Sequence, residues 1–182
     1  MTRLQAVDPE TATGKAKQLL DGVQAKLGMK PNLMRTLAAS PAALDAYLAF
    51  NDALAGGMLD AKLREQIAIA VANDNGCGYC LSAHTLLGKM SGLGASEMTD
   101  AQRYMAGESR TDAALKFAHE IVKQRGEVTD DAVERVRAAG YSDGEIAEIV
   151  ANVALNIFTN YFNNVAHTEI DFPKVALGAR TA

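Results

Sequence analysis

The chain holds two cysteines, three residues apart in "NDNGCGYCLSAH" (73–84), and one of its three histidines follows four residues later. A helix over residues 77–84 puts Cys77, Cys80 and His84 on successive turns of one face. Thiols spaced in this way lie within reach of a disulfide. The N-terminus of that helix, set off by Gly76, offers unpaired N–H groups whose positive potential favours thiolate. His84 is placed to take a proton from Cys80 or to stabilise its thiolate, the nucleophile-and-base pairing of thiol catalysis.

Zinc competes for the same three residues. Against it, Cys77 and His84 are separated by ~10.5 Å of helical rise, no second cysteine pair exists, and His119 and His167 are each solitary. Two inert buried thiols are the third reading. A structural staple closing so short a loop would add little stability. A thioredoxin fold needs a strand before its C-x-x-C, and none is predicted here. The redox dithiol is preferred, with the other two left open. Glu65, twelve residues before Cys77, reaches His84 if the turn at "DNG" folds two helices into a hairpin, and its carboxylate would then orient the imidazole. Spacing alone favours the plainer alternative, a solvated "KLRE" face with Glu65 paired to Lys62.

The elements that must hold these residues read as helix after helix. Helices are predicted over 9–28, with Pro9 opening and Gly28 closing it, over 31–40, and over 40–57 with Ser40 as N-cap and Pro41 first. Others follow over 60–76, 77–92, near 96–106, 111–125 and 129–139. The last runs to His167 from a capping box of Ser142 and Glu145. Alternating patterns are nearly absent, so the fold is expected to be all-α. No linker interrupts the pattern, which predicts one domain over 1–182. Shifted by 83 residues, 60–84 lies over 143–167, matching Asp60 with Asp143, Glu65 with Glu148, Asn73 with Asn156 and His84 with His167. That match raises an internal helical-hairpin repeat.

Asn152, Asn156 and Asn160 recur every four residues, with Asn163 and His167 close behind. Buried amides must be hydrogen-bonded, either between helices or subunits or as a polar wall of the thiol site, and the former is the plainer expectation. The seven methionines and "FTNYF" are expected in core or interface, residues 122–137 on the solvated surface, and His119 in a satisfied, partly buried position. A net charge of −4 without a basic block argues against nucleic acid. No apolar run approaches a bilayer span, and the N-terminus has no secretory pattern. A cytoplasmic protein is expected, where thiols stay reduced unless catalytic or sensing.

The pattern Glu65, Cys77, Cys80, His84 resembles the AhpD-like alkylhydroperoxidase branch of the carboxymuconolactone decarboxylase family, as does the ending "NIFTNYFNNVAHTEIDFP" (156–173). The likeness covers most of residues 30–175. It implies an all-α AhpD-like bundle with an internal helical repeat, assembled as a homo-oligomer of three or six. The implied activity is reduction of hydroperoxides through a dithiol–disulfide cycle with no organic cofactor and no metal. The electron donor would be an external dithiol, lipoyl-bearing or thioredoxin-like. Helix-dipole reasoning favours Cys77 as the attacking thiol, whereas the His84 partnership favours Cys80. The family assignment points to Cys80 as peroxidatic and Cys77 as resolving and reductant-facing, with Glu65 and His84 as proton relay. Members with peroxidase activity often carry Cys-x-His-Cys where this chain has Tyr79, leaving the outer end of the relay to its packing or its hydroxyl. The alternative to an enzyme is a redox sensor or general dithiol oxidoreductase built on the same pair.

Overall fold

The computed structural model describes residues 2–179, and these form helices and no strand. In chain order the helices are α1 (Gly14–Leu27), α2 (Asn32–Leu37), α3 (Pro41–Ala55), α4 (Ala61–Asp74), α5 (Gly78–Met90), α6 (Ala95–Ala101), α7 (Ser109–Gln124), α8 (Asp130–Ala138) and α9 (Asp143–Ala166). The expected all-α architecture is the one observed. Its axis is α4, where every residue from Gln66 to Asn73 is buried. A helix apolar on all sides must be surrounded, and α5, α6, α7 and α9 pack around this one.

Local capping chemistry sets most boundaries. Ser40 Oγ accepts the Ala43 N–H at 3.4 Å above Pro41, and Asp60 Oδ1 accepts that of Leu63 at 2.8 Å. At α9 the capping box forms as expected: Glu145 N–H donates to Ser142 Oγ, and Ser142 N–H donates to Glu145 Oε2 at 2.8 Å. Gly28 closes α1 with φ of +72°. Glu108, not foreseen as a cap, accepts the N–H groups of Arg110 and Thr111, so α7 begins two residues before the predicted start.

Two expectations are corrected. Pro9 opens no helix, because Asp8 captures the local N–H groups: Glu10 donates to its Oδ1 at 3.0 Å, and Ala12 to its carbonyl at 3.0 Å. The helix starts only after the extended Thr13. The 83-residue offset superimposes a hairpin on one unbroken helix: residues 60–84 turn back at Gly76, whereas α9 continues through 24 residues. Asn160 stands where Cys77 would require the turn. Phe158 and Tyr161 of "FTNYF" are exposed in the single chain, as are Met58, Met90 and Met105, which leaves the interface half of the expectation for these residues.

The C-terminal tail returns across α5. Asn32 N–H donates to Asp171 Oδ2 at 2.7 Å, Phe172 meets the Tyr79 ring edge-on, and Val175 N–H donates to Ser82 Oγ at 3.1 Å. Tyr79 also accepts the Leu33 N–H at 3.0 Å, joining α5 to α2.

Burial raises the pKa of Tyr79 and Tyr104. It pushes Tyr47 up to about 12, assisted by the nearby Glu65 and Asp52 carboxylates. A group with a folded pKa above its unfolded value contributes constant stability below the unfolded value, about 10 for tyrosine, and loses it as pH rises through the folded value. The denaturant midpoint is therefore expected to begin falling above about pH 10. At about pH 11 the folded chain should show less tyrosinate absorbance than the same chain in urea. Equal absorbance would contradict the burial of these phenols.

Candidate thiol site

The site is built on the α4–α5 turn. Gly76 takes φ of +65°, a conformation that costs glycine nothing. Its N–H donates to the Asn73 carbonyl at 3.1 Å, and the next N–H, of Cys77, donates to that of Ala72 at 2.9 Å. Those two bonds make a Schellman ending for α4. Cys77 is also the N-cap of α5, its Sγ accepting the Cys80 N–H at 3.2 Å. The helix expected from residue 77 thus begins at Gly78, and Cys77 has extended rather than helical backbone.

Cys77 and Cys80 are joined as a disulfide, with Cα atoms 5.4 Å apart. The hairpin also brings Glu65 to His84, with Oε2 2.8 Å from Nδ1. This replaces the Lys62 pairing that spacing favoured. An ionised carboxylate only accepts hydrogen bonds, so it holds the ring proton on Nδ1 and leaves the Nε2 lone pair free for a proton. The side chains of His84 and Glu65 are 23% and 19% exposed.

Both cysteines are sealed in this state, Cys77 at 1% and Cys80 at 2% exposure. Cys77, expected to face the reductant, is as buried as Cys80 here, and the tail passes close to the next residue, with Ile170 near Gly78. Two surface clefts, of about 260 and 240 Å³, lie between α7 and α8 and beside α4 and α6. Neither is lined by the cysteines or His84.

Among the other candidates, His119 lies elsewhere, stacked on Tyr104 with ring centroids 4.6 Å apart. It is not the hydrogen-bonded histidine expected, since its buried Nε2 has no hydrogen-bond partner among the described residues. His167 ends α9 in a left-handed conformation and is exposed. Among the described residues no group of three or more His, Cys, Asp or Glu side chains is gathered as a metal would require. The asparagine stripe divides. Asn152 and Asn156 donate to carbonyls of their own helix at 2.8 and 2.9 Å, whereas Asn160 accepts from Asn75 at 3.0 Å and Asn163 donates to Cys80 Sγ at 3.2 Å. Sequence reasoning noted this stripe as a polar wall only in second place. The signal was its spacing on an apolar helix, but spacing does not say which neighbour the amides meet.

Residues 41–123 match the carboxymuconolactone decarboxylase family. A solved structure from Ralstonia eutropha, described as an alkylhydroperoxidase AhpD core and an uncharacterized peroxidase-related protein, is 27% identical, with a TM-score of 0.84 over 93% of this chain and 92% of that one. A peroxidase-related protein from a Silicibacter species is 24% identical, with a TM-score of 0.77 over 97% and 96% of the two chains. A variant of the debrominase Bmp8, in complex with 2,3,4-tribromopyrrole, is 18% identical, with a TM-score of 0.78 over 94% and 92%. These last two likenesses are of fold. No curated protein matches. Residues 41–123 thus carry the match to the carboxymuconolactone decarboxylase family, and the chain as a whole has the helical fold of the AhpD core structure. No helix among the described residues is long and apolar enough to cross a membrane.

The disulfide has a direct chemical check. Peroxide-oxidised protein, denatured without reductant, is expected to titrate no free thiol, and prior reduction with dithiothreitol should release two per chain. Two thiols in the oxidised sample would rule out the bridge.

Proposed function

We propose that this protein is a thiol-dependent peroxidase that reduces organic hydroperoxides or hydrogen peroxide through Cys77 and Cys80. The observation that carries the reading is one hairpin holding a joined cysteine pair and, a helical turn on, a histidine oriented by a carboxylate. Catalysis starts from the reduced pair. His84 Nε2 takes the Cys80 proton, and the thiolate attacks the terminal oxygen of ROOH. The S–O bond forms, the O–O bond breaks, and RO⁻ leaves as alcohol with the proton returned by His84. Cys77 then gives up its proton and attacks Cys80 Sγ; the S–S bond forms as the S–O bond breaks, and the departing hydroxide takes that proton and leaves as water. An external dithiol, lipoyl-bearing or thioredoxin-like, returns two electrons and two protons.

The hydrogen bond from Asn163 supports Cys80 as the peroxidatic thiol, since donation to a thiolate lowers its pKa. The Cys80 N–H on Cys77 Sγ does the same for the resolving partner. Tyr79 takes no part in the relay in this reading. Its hydroxyl is engaged by Leu33 and its ring by Phe172, so it supports the site by packing. No organic cofactor or metal enters the cycle, which needs a reducing compartment such as the cytoplasm. Assembly as a trimer or hexamer is supported by the exposed apolar positions Val150, Phe158, Tyr161 and Val165 on α9.

With tert-butyl hydroperoxide and a lipoyl donor, the wild type is expected to consume many equivalents. Cys80→Ser should form no sulfenic acid, and Cys77→Ser should accumulate it. A single turnover would instead identify a redox sensor, and the reverse pattern would exchange the two cysteine roles. His84→Ala is expected to slow peroxide reduction about 10²–10⁴-fold, the contribution typical of a general base, and to move the reactive thiol's pH–rate midpoint upward. An unshifted profile would remove His84 from the relay.

A further inference from the structure

The last two members of the asparagine stripe reach the cysteine turn and are left half-satisfied there. Asn163, 3% exposed, donates from Nδ2 to Cys80 Sγ at 3.2 Å. Its Oδ1 has no hydrogen-bond partner among the described residues. Asn160, 0% exposed, accepts from Asn75 at 3.0 Å through Oδ1, and its Nδ2 likewise has no partner among the described residues. The two amides are one helical turn apart, hence neighbours on one face of α9. Both are anchored on the segment from Asn75 to Cys80. The unused acceptor of Asn163 therefore lies beside the sulfur that the proposed cycle oxidises, and the unused donor of Asn160 lies one turn earlier on the same face of α9. Buried amide atoms without partners are costly and rare in native interiors, and the first two asparagines of the stripe avoid that cost with their own helix's carbonyls.

We infer that Asn163 and Asn160 form the oxygen-binding part of the thiol site, Asn163 contacting Cys80 sulfur and the pair holding the oxygen transferred to it. The inference rests on the peroxidase reading and deepens it. A sulfenic acid, S–O–H, presents one oxygen that accepts and one hydrogen that donates. Asn160 Nδ2 supplies the donor for that oxygen, and Asn163 Oδ1 the acceptor for that hydrogen. The terminal O–H of a hydroperoxide has the same complement, so the pair aligns the oxygen that Cys80 attacks. When Cys77 displaces this oxygen as water, the disulfide forms and the two amide atoms lose their ligand. The site accordingly favours a small, unhindered –OOH terminus over a substrate lacking a hydroxyl.

The titratable groups around Cys80 are few. Cys77 and His84 share its hairpin, and Glu65 stands behind His84 on α4. The buried face of α9 carries amides, Thr159 and apolar residues, and α6 buries only Ala101. In the tail, Asp171 is bonded to the Asn32 N–H. No other charge competes with the Asn163 amide for control of the Cys80 thiol from α9.

The test uses the full chain carrying Cys77→Ser, so that Cys80 alone titrates as a thiol. Asn163→Leu is expected to raise the Cys80 pKa by about one unit, read from thiolate absorbance against pH. It should also cut several-fold the sulfenic acid captured by a dicarbonyl probe after one equivalent of hydrogen peroxide. Asn163→Gln, which retains the amide, should restore part of both. Should Asn163→Leu fail to fold, Asn163→Asp keeps the shape and sets a carboxylate against the sulfur, raising its pKa by more than the leucine would. A folded Leu or Asp variant with unchanged thiol titration or undiminished probe capture overturns the inference. The titration needs no turnover, so a wild type that reduces no hydroperoxide defeats the peroxidase reading separately.

Discussion

Two backbone hydrogen bonds at the end of α4 govern the geometry of everything that follows. Gly76 turns left-handed, the Gly76 and Cys77 N–H groups close the helix on Asn73 and Ala72, and Cys77 at once becomes the N-cap of α5. Only Asn75, Gly76 and Cys77 separate the helices, and the second packs back against the first. That return sets Glu65 against His84 and fixes the register between the cysteines. A side chain at position 76 would be strained at this φ, and the hairpin would lose the tight closure on which both pairs depend.

The hairpin is held from two sides, and both supports are polar groups in apolar surroundings. On one side Tyr79 accepts the Leu33 N–H and packs on Phe172, fastening α5 to α2 and to the tail. On the other, α9 turns Asn160 and Asn163 toward the cysteine turn. Neutral amides suit this place: they shape hydrogen bonding around sulfur without adding a charge that would have to be compensated at such depth. The tail crosses the same helix, with Phe172 on Tyr79 and Val175 bonded to Ser82, and both sulfurs are buried in the disulfide state.

Much of this was legible in the chain itself. The helix ends at Gly28, Ser40, Ser142 and Glu145 depend on contacts within a few residues, and they formed as read. The C-x-x-C spacing implied a bridge because three helical positions span a disulfide. Glu65 was harder. Its nearest charged neighbour on the helix was Lys62, and only the likeness to the AhpD-like pattern raised it above a solvated surface residue. Pro9 misled because Asp8, an equally local feature, competed for the same N–H groups. The apparent repeat misled because similar apolar spacing in a hairpin and in a straight helix says nothing about whether the chain turns between.

Residue types and short-range spacing by themselves determined the helical class, most of the caps and the reach of one cysteine for the other, since each is decided within about one or two turns of chain. Only the tertiary structure decided which face of α9 meets the thiols, that Tyr79 serves as a strut, and that the tail crosses α5. Those outcomes join residues dozens of positions apart, and their partners are selected by packing around α4, a choice made among whole helices rather than along any one of them.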